Sequence, residues 1–251
     1  MKEAELSLRR SQMGRSARSF LVAGRRSVQD QGPGYWVALS GAPSPEANMA
    51  LVDTSDRAVL ATVVRRVQDS GLPTLVVLAG AGRDGEPGTG WQHVGDMPFM
   101  ALALGGQQLR PDGRVRQAGV DDFGVVSELV ASAFNLTREV ADAIAGILEL
   151  GDAAGKIWLL VDEAGAVSTV LTSIVDDAVC VWCMGTPARF ARRGYGRALL
   201  TDVLLRAKLE GASIGLLGAT PAGKALYDAT GWTTLEQWQL FLRAESAQFG
   251  H

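Results

Sequence analysis

Apolar residues recur at helical spacing in DDFGVVSELVASAF (121–134) and TREVADAIAGILEL (137–150), which predicts two helices with Asp121 or Asp122 and Thr137 placed to cap them. A short run before them, RVRQAG (114–119), reads as a strand. The pattern then changes to near-continuous apolar runs in KIWLLVDEAGAVSTVLTSIVDDAVCVWCMGT (156–186), broken at DEAG and at Asp176–Asp177. These are three strands of an antiparallel meander. Next comes a helix with Leu199, Leu200, Val203, Leu204 and Ala207 on one face, stopped at Gly211. ASIGLLG (212–218), AGKALYDAT (222–230) and TLEQWQLFL (234–242) follow as strand, short helix and strand.

The same order of elements occurs earlier in the chain. DSGLPTLVVLAGAG (69–82) and LEGASIGLLGATPAG (209–223) both read as helix end, glycine, apolar strand and small-residue loop, so Gly71 and Gly211 correspond. TGW follows each of them, at 89–91 and 230–232, and precedes the apolar strands MPFMALAL and WQLFLRA. Two related halves are implied. The boundary is expected in GGQQLRPDGR (105–114), where glycines, a proline and polar residues separate apolar strands, giving halves at 1–108 and 114–251.

With 251 residues and 47 % hydrophobic content the chain can bury sizeable cores. Its net charge of -3 lacks the basic balance of a nucleic-acid or anionic-membrane binder, so any anion must be held locally. The longest early apolar run, FLVAG, is far shorter than a membrane span or a secretory core, and a cytoplasmic protein is expected. Six arginines within the first 26 residues suggest a transit peptide, but Glu3 and Glu5 interrupt them; a surface-facing first helix is the better reading. Cys180 and Cys183 are the only cysteines. On a strand, residues three apart point to opposite faces about 10 Å apart, so they can neither bridge nor chelate one ion, and no metal site is expected.

The stretch ARRGYGRALL (191–200) places two glycines and three arginines at a helix entrance. Unpaired N–H groups and the partial positive charge there attract anions, phosphates above all. Gly194 and Gly196 let the backbone curl close to such a group, and Arg192, Arg193 and Arg197 add charge. The alternative is a strand-to-helix turn with solvated arginines.

The order VCVWCMGT, PARFARRGYGRALL, strand, GKALYDATGW resembles the GNAT superfamily of N-acetyltransferases, over the whole second half from about Arg114. The family's loop motif is Arg/Gln-x-x-Gly-x-Gly/Ala, and this chain departs from it at the first position, Ala191. The resemblance implies an α/β (α+β) fold of two GNAT-like halves, each a mixed, mostly antiparallel sheet flanked by helices. A splayed-strand cleft for acetyl-CoA would lie in the second half. It also implies that the amides of Arg192, Arg193, Gly194, Tyr195, Gly196 and Arg197 take the pyrophosphate of this acyl donor, with no metal. Met184, Gly185 and Thr186 would line the pantetheine arm, a strand amide would meet the acetyl carbonyl, and Tyr227 would act as general acid toward the departing thiolate. Tyr227 equally fits a helix tyrosine packed on the sheet. The implied function is an acetyl-CoA-dependent N-acetyltransferase in which a small-molecule or peptide amine takes the acetyl group directly, in a ternary complex. A monomer or a homodimer fits.

A general base is not legible: Glu163, Asp176, Asp177 and Glu128 are acidic but fit solvated positions. Trp158, Trp182 and Phe134 fit an acceptor pocket or the core equally. Counting back by the repeat offset, the loop falls on LVDTSDRAVL (51–60), with neither glycine pair nor arginines flanking one. The first half is therefore expected to be a degenerate copy without the cofactor loop. Among rivals, GATPAGKAL nearly spells a nucleotide P-loop but ends on Ala225, without the magnesium-binding hydroxyl. A serine hydrolase lacks a nucleophile elbow. A non-catalytic acyl-CoA-binding regulator of the same fold is the remaining alternative.

Overall fold

Two strand–helix–strand arrangements with parallel flanking strands organise the chain in the computed structural model, which describes residues 2–21, 27–151, 155–163 and 165–243. Arg25, Arg26 and Ala164 of the DEAG turn lie outside the described residues. In chain order the elements are α1 (Glu3–Phe20), β1 (Val28–Gly32), β2 (Tyr35–Leu39), β3 (Asn48–Val52), α2 (Arg57–Ser70), β4 (Leu75–Leu78) and β5 (Trp91–Ala103). They continue with β6 (Val115–Gln117), α3 (Phe123–Phe134), α4 (Arg138–Ala145), β7 (Lys156–Asp162), β8 (Gly165–Val175) and β9 (Ala178–Gly185). The last are α5 (Tyr195–Leu209), β10 (Ile214–Gly218), α6 (Pro221–Asp228) and β11 (Thr233–Arg243).

By compactness the chain falls into two units that exchange short segments near its end. One compact unit holds the described residues up to Met100, residues 218–222 and those from Thr234 onward; the other holds 101–217 and 223–233. The last strand, β11, thus belongs with the first unit, where it pairs antiparallel with β4 through Gln239↔Leu78, Leu240↔Val77 and Phe241↔Val76. A break in composition marks where a chain leaves an element, not which sheet a later strand joins.

In the first unit β1, β2 and β3 form an antiparallel ladder, and β3 pairs parallel with β4 across α2. Leu60, Val63, Val64 and Val67 recur at i, i+3, i+4 and i+7 on α2 and are buried against Val37, Ala50, Val52 and Val76. Each such side chain contributes about 1.5–3 kcal/mol on burial. The helix α1 exposes one face, with Glu3, Glu5, Ser7, Leu8 and Ser11, as expected of a surface helix, but buries the other: Gln12, Met13, Ser16 and Ala17 are fully buried and Arg10 is 1 % exposed. A buried guanidinium needs partners. Arg10 donates from Nε and Nη2 to the two carboxylate oxygens of Glu236, both at 2.7 Å, and from Nη1 to Glu3 at 2.8 Å and Asp53 at 3.4 Å. Glu236 accepts further from Trp238 Nε1 at 2.6 Å and from the amide of Gly80 at 3.2 Å.

The second unit runs β10-β9-β8-β7-β6, with β10 parallel to β9 and the rest antiparallel. The meander expected over 156–186 is therefore observed, with Asp176 at φ 55 in its second turn. Leu199, Leu200, Val203, Leu204 and Ala207 of α5 are buried as their spacing predicts. So is Asp202, which accepts from the amide of Asp112 at 2.9 Å and from Arg206 Nε at 2.5 Å. Corresponding glycines of the sequence repeat have matching backbones. Gly71 and Gly211 follow helices at φ 66 and 104, and Gly90 and Gly231 of the two TGW segments both lie at φ 86.

Candidate functional site

The parallel pair β9–β10 is short for its strands. Pairing runs from Ile214↔Ala178 to Leu216↔Cys180 and stops, although β9 continues to Gly185. The cause lies on the other edge of β9. There Thr169 faces Gly185 and Leu171 faces Trp182, so two steps along β8 match three along β9. The extra residue is taken up at Cys183, whose φ is 47. Such a bulge bends the strand that carries it, and here it turns the end of β9 away from the register it shares with β10. The strands part after Cys180 and Leu216; Met184 and Gly185 at the end of β9 and Thr186 just after it, the residues expected to line the pantetheine arm, follow beyond the last paired residue.

Past this opening the chain makes a 3-10 turn at Ala188–Phe190 and enters the cradle. Arg192 has φ 65 and Gly194 φ 79, both left-handed. Alternation of this kind turns neighbouring N–H groups toward one side and makes an anion-binding concavity. Gly194 is the N-cap of α5 and offers no side-chain cap; the first helical bond is donated by Ala198 to the Gly194 carbonyl at 3.0 Å. Among the described residues, the amides of Arg192 through Arg197 have no hydrogen-bond acceptor. Arg192, Arg193 and Arg197 are exposed and form no ion pair with the described residues. A non-glycine residue held at positive φ costs about 1–2 kcal/mol, and strain of this kind concentrates at ligand sites.

Neighbouring side chains hold this loop. Tyr195 Oη donates to Asp162 Oδ2 at the end of β7, and the guanidinium of Arg114 sits 5.8 Å from the Tyr195 ring centre. Ser168 donates to the Gly185 carbonyl at 2.9 Å and meets the Thr186 hydroxyl at 2.8 Å. A Cβ built on Gly196 would lie 3.4 Å from Met184 Cε and 3.6 Å from both Leu226 and Thr186, so the loop, the end of β9 and α6 converge there.

Tyr227 on α6 completes the cluster. Its hydroxyl reaches Met184 Sδ at 3.7 Å, and its ring packs edge-on against Trp232 at 5.7 Å. Burial, and secondarily the neighbouring Cys183, push its pKa up to about 12, so the phenol holds its proton throughout the neutral range. Tyr227 is thus a buried ring packed on its neighbours, with its hydroxyl directed to Met184 at the end of β9. Burial likewise pushes the Cys183 thiol up to about 12, which disfavours its thiolate. Both cysteines are free thiols.

Of the acidic candidates, Asp176 and Asp177 lie away from this cluster, whereas Glu128 and Glu163 lie beside groups that border the cradle, Arg189 and Asp162. Asp176 and Asp177 precede β9, about 25 Å by strand rise from Met184. Asp177 accepts from Ser213 Oγ at 2.9 Å, Glu128 from Arg189 at 3.1 Å, and Glu163 is exposed on its turn. Trp158 is a core residue, donating to Thr172 at 2.8 Å under the Arg206 guanidinium. Phe134 and Ala133 pack against Gly185, where a Cβ would come within 2.6 Å of Ala133. The bulge at Cys183, the Tyr195–Asp162 bond and the Ser168–Thr186 pair leave no local mark in the sequence.

The first unit has neither feature of the cradle. Its parallel pair β3–β4 stays in register to the last residue of each strand, Val52↔Leu78. The N-terminus of α2 is already capped, by Asp56 accepting from the amide of Ala58 at 2.8 Å.

No family model matches the sequence, and no curated protein matches it either. Solved structures do. A GCN5-related N-acetyltransferase from Kribbella flavida shares 16 % identity over 94 % of this chain and 95 % of its own, with a TM-score of 0.64. A GNAT-family acetyltransferase from Novosphingobium aromaticivorans is similar at 13 % identity, 93 % and 99 % coverage and TM-score 0.63. A GCN5-related N-acetyltransferase from Sphaerobacter thermophilus is similar at 16 % identity, 84 % and 76 % coverage and TM-score 0.56. The chain has the fold of the GCN5-related N-acetyltransferases. Among the described residues no helix is long and apolar enough to cross a membrane, and no group of three metal-ligating side chains is present.

Proposed function

We propose that this protein is an acetyl-CoA-dependent N-acetyltransferase whose acceptor is a primary amine. The observation that carries the reading is the opening of β9 from β10 after Cys180↔Leu216, leading into the uncapped amides of Arg192–Arg197 at the head of α5. Acetyl-CoA supplies an acyl thioester and a pyrophosphate. The amides and the exposed arginines are suited to the pyrophosphate; Ala191 contributes no charge where the family has Arg or Gln, and Arg192 stands beside it. Met184, Gly185 and Thr186 would hold the arm along the open strand edge. Tyr227 keeps a proton on Oη beside Met184 and is the group placed to donate it to a thiolate leaving group. The recurrence of strand, helix and parallel strand supports reading the first unit as a degenerate second copy of the fold, without a cradle.

Thiol release from acetyl-CoA across a library of small amines and short peptides tests this function. Release with at least one amine is expected. Binding of acetyl-CoA without release from any acceptor would instead make the protein a non-catalytic acyl-CoA-binding regulator.

A further inference from the structure

A cavity of about 200 Å³ lies in the first unit, between one face of α1, the β1–β2 hairpin and the end of β3. No step of the proposed transfer uses it. Ser7, Ser11 and Arg18 line it from α1, Gln31 and Tyr35 from the hairpin, and Asp53 from the end of β3. Arg10 also lines it, and two charges in its walls are incompletely compensated by the fold, Arg18 and Asp53. Arg18 is partly buried and has no acidic partner among the described residues; burial, and then Arg15, lower its pKa. Asp53 is mostly buried, and its one ionic contact among the described residues is the 3.4 Å approach of Arg10, whose Nε and Nη2 are already taken by Glu236. Burial raises the Asp53 pKa. The hydroxyls of Ser7 and Ser11 and the side-chain amide of Gln31 have no partner among the described residues either.

An unpaired cation and an underpaired anion in one cavity are satisfied together by a ligand carrying the opposite charges at matching spacing. Arg10, which marks the level of Asp53, and Arg18 are eight residues apart on α1, a rise of about 12 Å. An extended tripeptide spans about 10 Å between its ends. The long side chain of Arg18 can close the difference. We propose that this cavity binds a short zwitterionic peptide, its terminal carboxylate on Arg18 and its terminal ammonium on Asp53, with the hydroxyls and Gln31 facing the peptide groups between.

Calorimetric titration of triglycine, N-acetyl-triglycine and triglycine amide into the full-length protein tests the proposal. Free triglycine is expected to bind, and each capped form to bind at least about tenfold more weakly. Arg18→Met should abolish the preference for the free carboxylate over the amide, and Asp53→Asn the preference for the free amine over the acetylated form. Both variants should melt normally and keep wild-type affinity for coenzyme A, which separates this site from the acyl-transfer reading. No heat with triglycine at millimolar concentration overturns the proposal. So does equal binding of the capped forms, or a loss with only one of the two caps.

Discussion

Replacing the two glycines of the cradle by alanine separates what each contributes. Gly194 sits at φ 79 with nothing within 4 Å of where a Cβ would stand, so Gly194→Ala meets no clash and only the left-handed backbone penalty, about 1–2 kcal/mol. Gly196 has no such backbone requirement, and its added methyl would rest in ordinary contact 3.4 Å from Met184 Cε. In the free Gly194→Ala protein the exposed loop can relax around the new methyl group. Binding an anion must then restore the left-handed turn, so the penalty falls on affinity and not on folding. Gly194→Ala should weaken coenzyme A binding by about 5- to 30-fold with a nearly unchanged melting temperature. Gly196→Ala should stay within about threefold of wild type. Calorimetric titration of both variants with coenzyme A reads the difference. Equal affinities for Gly194→Ala and wild type, or a larger loss at Gly196, would refute the argument that the left-handed turn builds the cradle.

Tyr227→Phe should keep coenzyme A affinity and lower turnover by about 100-fold or more, measured by thiol release. Because the Tyr227 pKa is raised to about 12, turnover should show no decline attributable to loss of its proton between about pH 7 and 10. The same shift has a stability consequence. The folded state holds this proton more tightly than the unfolded chain, so the contribution is present below about pH 10 and is lost as pH rises toward 12; the alkaline fall in melting temperature should be smaller in Tyr227→Phe. In the first unit, Arg10→Met leaves Glu236 buried without its guanidinium, at a cost of about 3–5 kcal/mol. A melting temperature lowered by about 10 °C is expected.

The second unit was largely legible because its signals are local. The spacing of Leu199, Leu200, Val203, Leu204 and Ala207 fixes the buried face of α5, and the glycines at 194 and 196 mark its entrance. The meander follows from apolar runs between turn residues. Features that depend on distant partners left no such trace. Arg10 and Glu236 are 226 residues apart, so neither the burial of α1 nor the placement of β11 in the first unit can be read from the residues around either one. The bulge at Cys183 is similarly hidden: CVWC carries no glycine or proline, and its left-handed residue arises from the register between β8 and β9. In the first unit the sequence indicated a missing cradle by composition. The capping of α2 by Asp56 and the full pairing of β3 with β4 give the physical reasons.

Following backbone amide resonances during titration with coenzyme A tests the central claim most directly. The largest shifts are expected at the amides from Arg192 to Arg197, as free N–H groups gain an anionic acceptor, with those of Asp53 to Ala58 unmoved. Unchanged resonances across 192–197 at saturation, or shifts centred on the first unit, would contradict it.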